Sequence, residues 1–195
     1  MKRVALAAAA IVVLTLLMLI GVLGYARATG LRARAVPGAL ETRVARTVRS
    51  FAVSASDRAR VNPVPRTDEA MREGLEHFAD HCAVCHANDG SGDTTFGRSL
   101  FPPAPDLRAD PTQGLTDGEL FYIIENGIRF TGMPAFGTGA AEGEAESWKL
   151  VHFMRHLPRL TDEERAHMET LNPRSPIEIR QEIEEERFLR GEGPG

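Results

Sequence analysis

The 195-residue chain has two cysteines, and both fall in Cys82-Ala83-Val84-Cys85-His86. On a helix, residues three and four apart share one side, so Cys82, Cys85 and His86 project together. A flat macrocycle held at two edges by thioethers, with an imidazole beneath its iron, fits that spacing, and C-x-x-C-H is the signature of covalent haem attachment. Zinc would have to recruit two further ligands from His77, His81, His152 and His156. A dithiol redox pair requires an alternating strand and helix context, and the sequence lacks one. A disulfide across two residues closes too small a ring to stabilise much by chain entropy. One covalent haem c is therefore the expectation.

His86 reaches only one face of the iron. For the other, the chain offers Met133, His152, Met154, His156 and Met168 downstream, and Met71 and His81 upstream. Met133 is the best placed. Gly132 lets the backbone approach a ring without a Cβ, and Pro134 holds Met133 extended in a stiffened loop. His152 and His156 stand as the alternatives, with packing or surface roles as the competing account. With His86 and Met133 both bound, no coordination position remains for a substrate, and the chemistry is outer-sphere electron transfer. Soft sulfur also favours ferrous iron and raises the potential.

The elements that would position these groups are helical. Thr67 is an N-cap candidate before Asp68 and Glu69, and Met71, Leu75, Phe78 and Cys82 repeat at helical steps that end on the Cys motif. Residues 88–114 are rich in Gly, Pro, Asp and Ser and read as loop, with Asp89 to Asp93 as a turn. Thr116 and Glu119 form a capping box before a helix that stops at Asn126-Gly127. Glu146 to Leu157 reads as another helix, stopped by Pro158. Thr161 and Glu164 form a further capping box, followed by breaks at Pro173 and Pro176 and a mostly charged helix with Ile179 and Ile183 as a thin apolar stripe. A solvated face is the simplest account of that tail, and partner binding the other. No strand pattern competes. The expected fold is all-α, with about three to five helices around one haem.

Upstream, Val4 to Gly24 carry no charge and at about 1.5 Å per residue could cross a bilayer core. The expected division is therefore 1–24 as a transmembrane anchor or uncleaved signal, 25–66 as a basic linker, 67–158 as the haem domain and 159–195 as a charged tail. A cleaved signal ending near Ala26-Arg27-Ala28 is the rival for the first segment. In the linker, Leu40, Val44, Val48 and Phe51 fall at helical spacing with Arg43, Arg46 and Arg49 opposite, which predicts an amphipathic helix that lies on anionic lipid or packs on the next domain. As a flexible chain, about 40 linker residues would average roughly 35 Å. Residues 1–66 carry a charge of +9 and residues 67–195 one of -13. Such a body would dock on a partner with a basic patch, with a salt-dependent on-rate, and not on nucleic acid.

From Thr67 to Pro158 the sequence resembles the class I c-type cytochromes, the small helical monohaem carriers. The resemblance rests on "CAVCH", "PPAPDL", "LTDGELFYIIENGIRFTGMPAFG" and the helix containing Trp148. It implies an electron carrier rather than an enzyme, Met133 as axial ligand, and a proline carbonyl orienting His86, for which Pro103 is chosen over Pro102 and Pro105. It also implies that Gly74 and Phe78 cross the last helix at Trp148 or Val151. Haem loading outside the cytoplasm places the domain on the periplasmic side of a bacterial-type cytoplasmic membrane, serving redox partners that are themselves membrane complexes. A fixed subunit of an oxidoreductase complex, and a haem sensor or enzyme with an open sixth site, are the alternative readings.

Overall fold

A computed structural model describes residues 2–30, 32–174 and 176–191, and the only regular secondary structure among the described residues is helical, without strands. The helices are α1 (Lys2–Thr29), α2 (Ala39–Ala52), α3 (Ala55–Arg58), α4 (Asp68–His77), α5 (Ala83–His86), α6 (Asp110–Gln113), α7 (Asp117–Asn126), α8 (Ala141–His156), α9 (Asp162–Leu171) and α10 (Pro176–Leu189). α1 buries no residue against the rest of the protein and is long and apolar enough to cross a membrane. The side chain of Ile179 lies outside the described residues.

The helix starts follow local chemistry. Thr67 accepts from the Ala70 N–H, and Thr116 and Thr161 each complete the expected capping box with Glu119 and Glu164. Each box satisfies two backbone donors that the first turn of a helix leaves unpaired. At its far end α7 stops on Gly127, whose φ of 63° is unfavourable for other residues.

The core is built on the crossing of α4 and α8. Phe78, Val151, Phe153, Leu120, Leu150 and Trp148 are fully or almost fully buried there. At the crossing point a Cβ on Gly74 would lie 2.5 Å from the Lys149 carbonyl oxygen and 3.1 Å from the Phe153 Cβ, so only glycine permits this approach. The close contact therefore falls on Lys149 and Phe153 rather than on Trp148 or Val151. Trp148 instead stacks on Phe121 at 4.1 Å between ring centroids, which joins α8 to α7.

Two segments expected outside the globular body are packed into it. From Val53 onward the linker is a strap rather than a flexible tether. Val53 is buried, Thr116 Oγ1 donates to the Arg58 carbonyl at 2.9 Å, and Asn62 Nδ2 donates to the Trp148 carbonyl at 2.9 Å. Arg60 lies over the Phe121 ring at 4.2 Å, a cation–π contact that caps the aromatic pair. Beyond Pro158, α9 places Met168 at 0% exposure in the same core cluster. Composition concealed both, since the strap's valines are scattered among polar residues and α9 offers only Met168 and Leu171 to the core from a charged helix.

Candidate haem site

α4 runs into the cysteine motif through a π-helical turn, Phe78–Cys82, before α5 resumes α-helical geometry. Such a turn holds one extra residue and rotates the C-terminal part of the helix relative to its N-terminal part. Phe78 and Ala79 can thus stay in the core while Cys82 and Cys85 remain partly accessible and His86 turns inward. Burial pushes the Cys82 thiol up to about 12, with Cys85 beside it adding to the effect, so the free thiol stays protonated.

His86 is buried, and its Nδ1 lacks a hydrogen-bond partner. Burial lowers its pKa, and the Pro105 carbonyl facing the ring acts the other way. The proline carbonyl beside His86 is therefore that of Pro105, not Pro103, although the contact falls short of a well-aligned hydrogen bond. Iron on one ring nitrogen and a carbonyl close to the other would satisfy both ends of a buried imidazole. Two thiols, that imidazole and the absence of any cluster of three His, Cys, Asp or Glu side chains among the described residues suit a covalent haem and not a zinc ion.

The loop after the motif is laced back onto it. The Gly92 N–H donates to the His86 carbonyl at 2.8 Å, and Thr94 Oγ1 donates to the carbonyls of Val84 at 2.9 Å and Cys85 at 3.2 Å. Gly97 lies so close to the Cys85 carbonyl that any Cβ there would collide with it. Arg108 clamps the loop by pairing with Asp89 and Asp106, each at 2.9 Å. The Asp89–Asp93 stretch is accordingly a turn, closed by Ser91 N–H to Asp89 at 3.0 Å.

Met133 lies on the loop after α7, partly buried and outside the core cluster. Its N–H donates to Thr131 Oγ1 at 3.1 Å, and its carbonyl accepts from the Ile128 N–H at 3.1 Å. Gly132 abuts the Leu100 side chain, so the Met133 loop and the loop from the cysteine motif meet there. The competing ligands have other partners. His152 Nε2 is 2.7 Å from the Val64 carbonyl in the strap, and His156 Nε2 is 2.8 Å from Glu164 on α9. Met154 and Met168 are core residues, and Met71 packs against that core. Phe130, three residues before Met133, has a φ of 62° and is 93% exposed. Arg129 is exposed.

α9 adds a contact that sequence reasoning missed. With the Asn172 amide turned so that its nitrogen donates, it reaches the Ala79 carbonyl at 3.0 Å and pairs with Asn88 at 2.9 and 3.0 Å. Ala79 lies in the π-helical turn and Asn88 two residues after His86, so one side chain beyond α9 braces both flanks of the motif. Its only sequence signal was a helix-ending Asn before Pro173.

Residues 69–154 match the family described as cytochrome c oxidase, cbb3-type, subunit III. This segment is a class I c-type cytochrome domain. The chain is also similar to a protein named thiosulfate dehydrogenase from Stutzerimonas stutzeri (strain A1501), with 28% identity over 102 residues. That match covers 51% of this chain and 31% of the relative, so the chain spans less than a third of that protein's length. A cytochrome c domain implies electron transfer, redox partners and haem c as cofactor, and two cysteines provide for one attachment site.

Proposed function

We propose that the chain is a membrane-tethered, one-electron carrier that holds a single haem c through Cys82 and Cys85, with His86 and Met133 as axial ligands. The observation that carries this reading is the buried His86, its Nδ1 unpartnered and the Pro105 carbonyl beside its ring, within five residues of two unpaired thiols. The engagement of His152 and His156 elsewhere favours Met133 for the second axial position. When bound, the haem iron supplies a one-electron couple. The chain fixes the ring at two edges, orients His86 with the Pro105 carbonyl, and offers a soft sulfur that raises the potential. The core around Phe78, Trp148 and Val151 keeps water from the buried side. Filled axial positions leave no substrate site, which makes the domain a relay.

The globular unit we assign runs from Val53 to Asn172. α1 anchors it with the domain on the periplasmic side of the cytoplasmic membrane. An acidic body suits partners with a basic docking patch, and the on-rate should fall with salt. The two comparisons both name oxidoreductases, which favours a second reading, a fixed cytochrome subunit of a larger complex. The match to the relative extends over too little of that protein to bring its named activity to this chain.

Ferric spectra of the holoprotein test the ligand set. A sulfur-to-iron charge-transfer band should be present and should vanish in Met133→Ala, whose reduced form should gain carbon monoxide binding. A band that survives the substitution, or carbon monoxide binding by the unaltered reduced protein, would sink the assignment. Purification from membranes separates the two functional readings: a carrier elutes alone, a subunit brings its complex with it.

A further inference from the structure

α2 forms as a helix with one face entirely apolar and uncovered. Leu40 is 76% exposed, Val44 54%, Val48 60% and Phe51 90%, and the four share a side at helical spacing. The opposite, polar side faces the cytochrome domain: Arg58 donates to Ser50 Oγ at 3.3 Å, and Arg49 is partly buried, with Glu119 of α7 within electrostatic reach. The chain thus turns the wrong side of an amphipathic helix towards its own globular body. Among the described residues nothing covers the apolar side.

The connection to α1 limits what can cover it. α1 ends at Thr29 and α2 begins at Ala39, so residues 30–38 span at most about 30 Å when fully extended and roughly 16 Å as a flexible chain. A helix tied this closely to a bilayer-spanning segment stays within reach of the bilayer surface. Its charges complement that surface: Arg43 on α2, at the edge of the apolar face, and Arg32 and Arg34 in the connector are exposed, against one acid in the helix, Glu41. Arginine stems can lie along the apolar boundary while their guanidinium groups reach lipid phosphates.

We propose that α2 lies flat on the membrane that α1 spans, with Leu40, Val44, Val48 and Phe51 at the acyl boundary and Arg43, at the edge of that face, with Arg32 and Arg34 on anionic phospholipid headgroups. The inference rests on α1 being an uncleaved anchor. It makes the attachment two-point. The domain is then held against the surface through α2, with α7 and the strap on the membrane side.

Depth measurements on the full-length holoprotein in bilayer discs test this. Single cysteines replacing Leu40, Val44, Phe51, Thr42 or Ser50 would carry a spin label, with Leu14→Cys as the anchor control. In discs containing phosphatidylglycerol, labels at 40, 44 and 51 should lose access to a water-soluble nickel chelate and gain access to oxygen, while labels at 42 and 50 keep nickel access. Charge reversal, R43E with R34E, should restore nickel access at 40 and 44. Equal nickel access at all five α2 positions, with Leu14→Cys at acyl depth, overturns the inference and leaves the anchor standing. A Leu14→Cys label outside the acyl region overturns both. Spin–spin broadening at Phe51→Cys that disappears on dilution with unlabelled protein would assign the face to a second copy instead, against the proposal.

Discussion

Gly74→Ala strikes the contact on which the haem site depends mechanically. The added Cβ would meet the Lys149 carbonyl oxygen at 2.5 Å and its carbon at 2.9 Å, both backbone atoms of α8 with no rotamer to change. Carbon and oxygen settle at about 3.3 Å or more, so α4 and α8 must part by roughly 0.8 Å. A gap of that size forfeits about a quarter to a half of the attraction between facing atoms, and overpacking of this kind costs about 1–3 kcal/mol after relaxation. Alanine regains about 1 kcal/mol over glycine in a helix interior. Because the clash is with backbone, the upper part of the range applies, and the net loss should be about 1–2 kcal/mol. Urea unfolding of the ferric holoprotein, followed by tryptophan fluorescence and the Soret band, should show a midpoint lower by about 0.5–1 M with an unchanged slope. Trp148 is the only tryptophan and lies in α8, so it reports on this interface directly. A variant as stable as the parent would refute the close crossing. With it would go the view that α4 fixes the cysteine motif by resting on α8.

Phe130→Gly removes a φ of 62° from a residue whose side chain is exposed, and should raise stability by about 0.5–1 kcal/mol in the same assay once the extra entropy of glycine is subtracted. Asn172→Ala withdraws the brace from the Ala79 carbonyl and Asn88, and should lower stability by about 1–3 kcal/mol as buried polar groups lose their partner; truncation after Pro158 should prevent stable folding, whereas truncation after Arg174 should be tolerated. Burial raises the Glu164 pKa, but the Thr161 backbone N–H and the His156 ring outweigh it, and the net value lies below the ordinary 4.5. A carboxylate depressed in the folded state adds stability that is present above 4.5 and is lost as pH falls through the folded value. Glu164→Gln should therefore lower stability at neutral pH and flatten its decline below pH 4.5, read from urea midpoints across pH.

What was legible in the sequence was local. The three threonine caps and the glycine stop at Gly127 are set by residues within one helical turn, and each stands where the pattern placed it. What was illegible depends on the path of the chain through space. Pro102, Pro103 and Pro105 are equivalent as sequence, and hydrogen bonds such as Leu107 N–H to the Gly90 carbonyl help decide which carbonyl meets His86. The π-helical turn left no mark either, since Phe78 and Cys82 keep spacing that an unbroken α-helix would share. The strap and α9 escaped because each offers too few apolar residues for a periodic signal: Val53, Val64, Met168 and Leu171 pack inward, and the polar Asn62, Arg60, Glu164 and Asn172 complete the attachment.

Docking of the strap changes how far the domain can travel from a membrane. A free linker from residue 25 to 66 would let it wander roughly 35 Å. With the strap packed on α7 and α8, and α2 joined to it through Arg58 and Ser50, the connection between α1 and the docked part shortens to residues 30–38. Nine residues span at most about 30 Å. Electron transfer then depends on partners coming to a carrier held near the surface, and lengthening the 30–38 connector becomes the direct test. If reach limits the rate, inserting a flexible segment there should speed electron delivery to a distant partner. If the domain must be held in a fixed orientation, the same insertion should slow it, because each doubling of linker length dilutes the productive geometry.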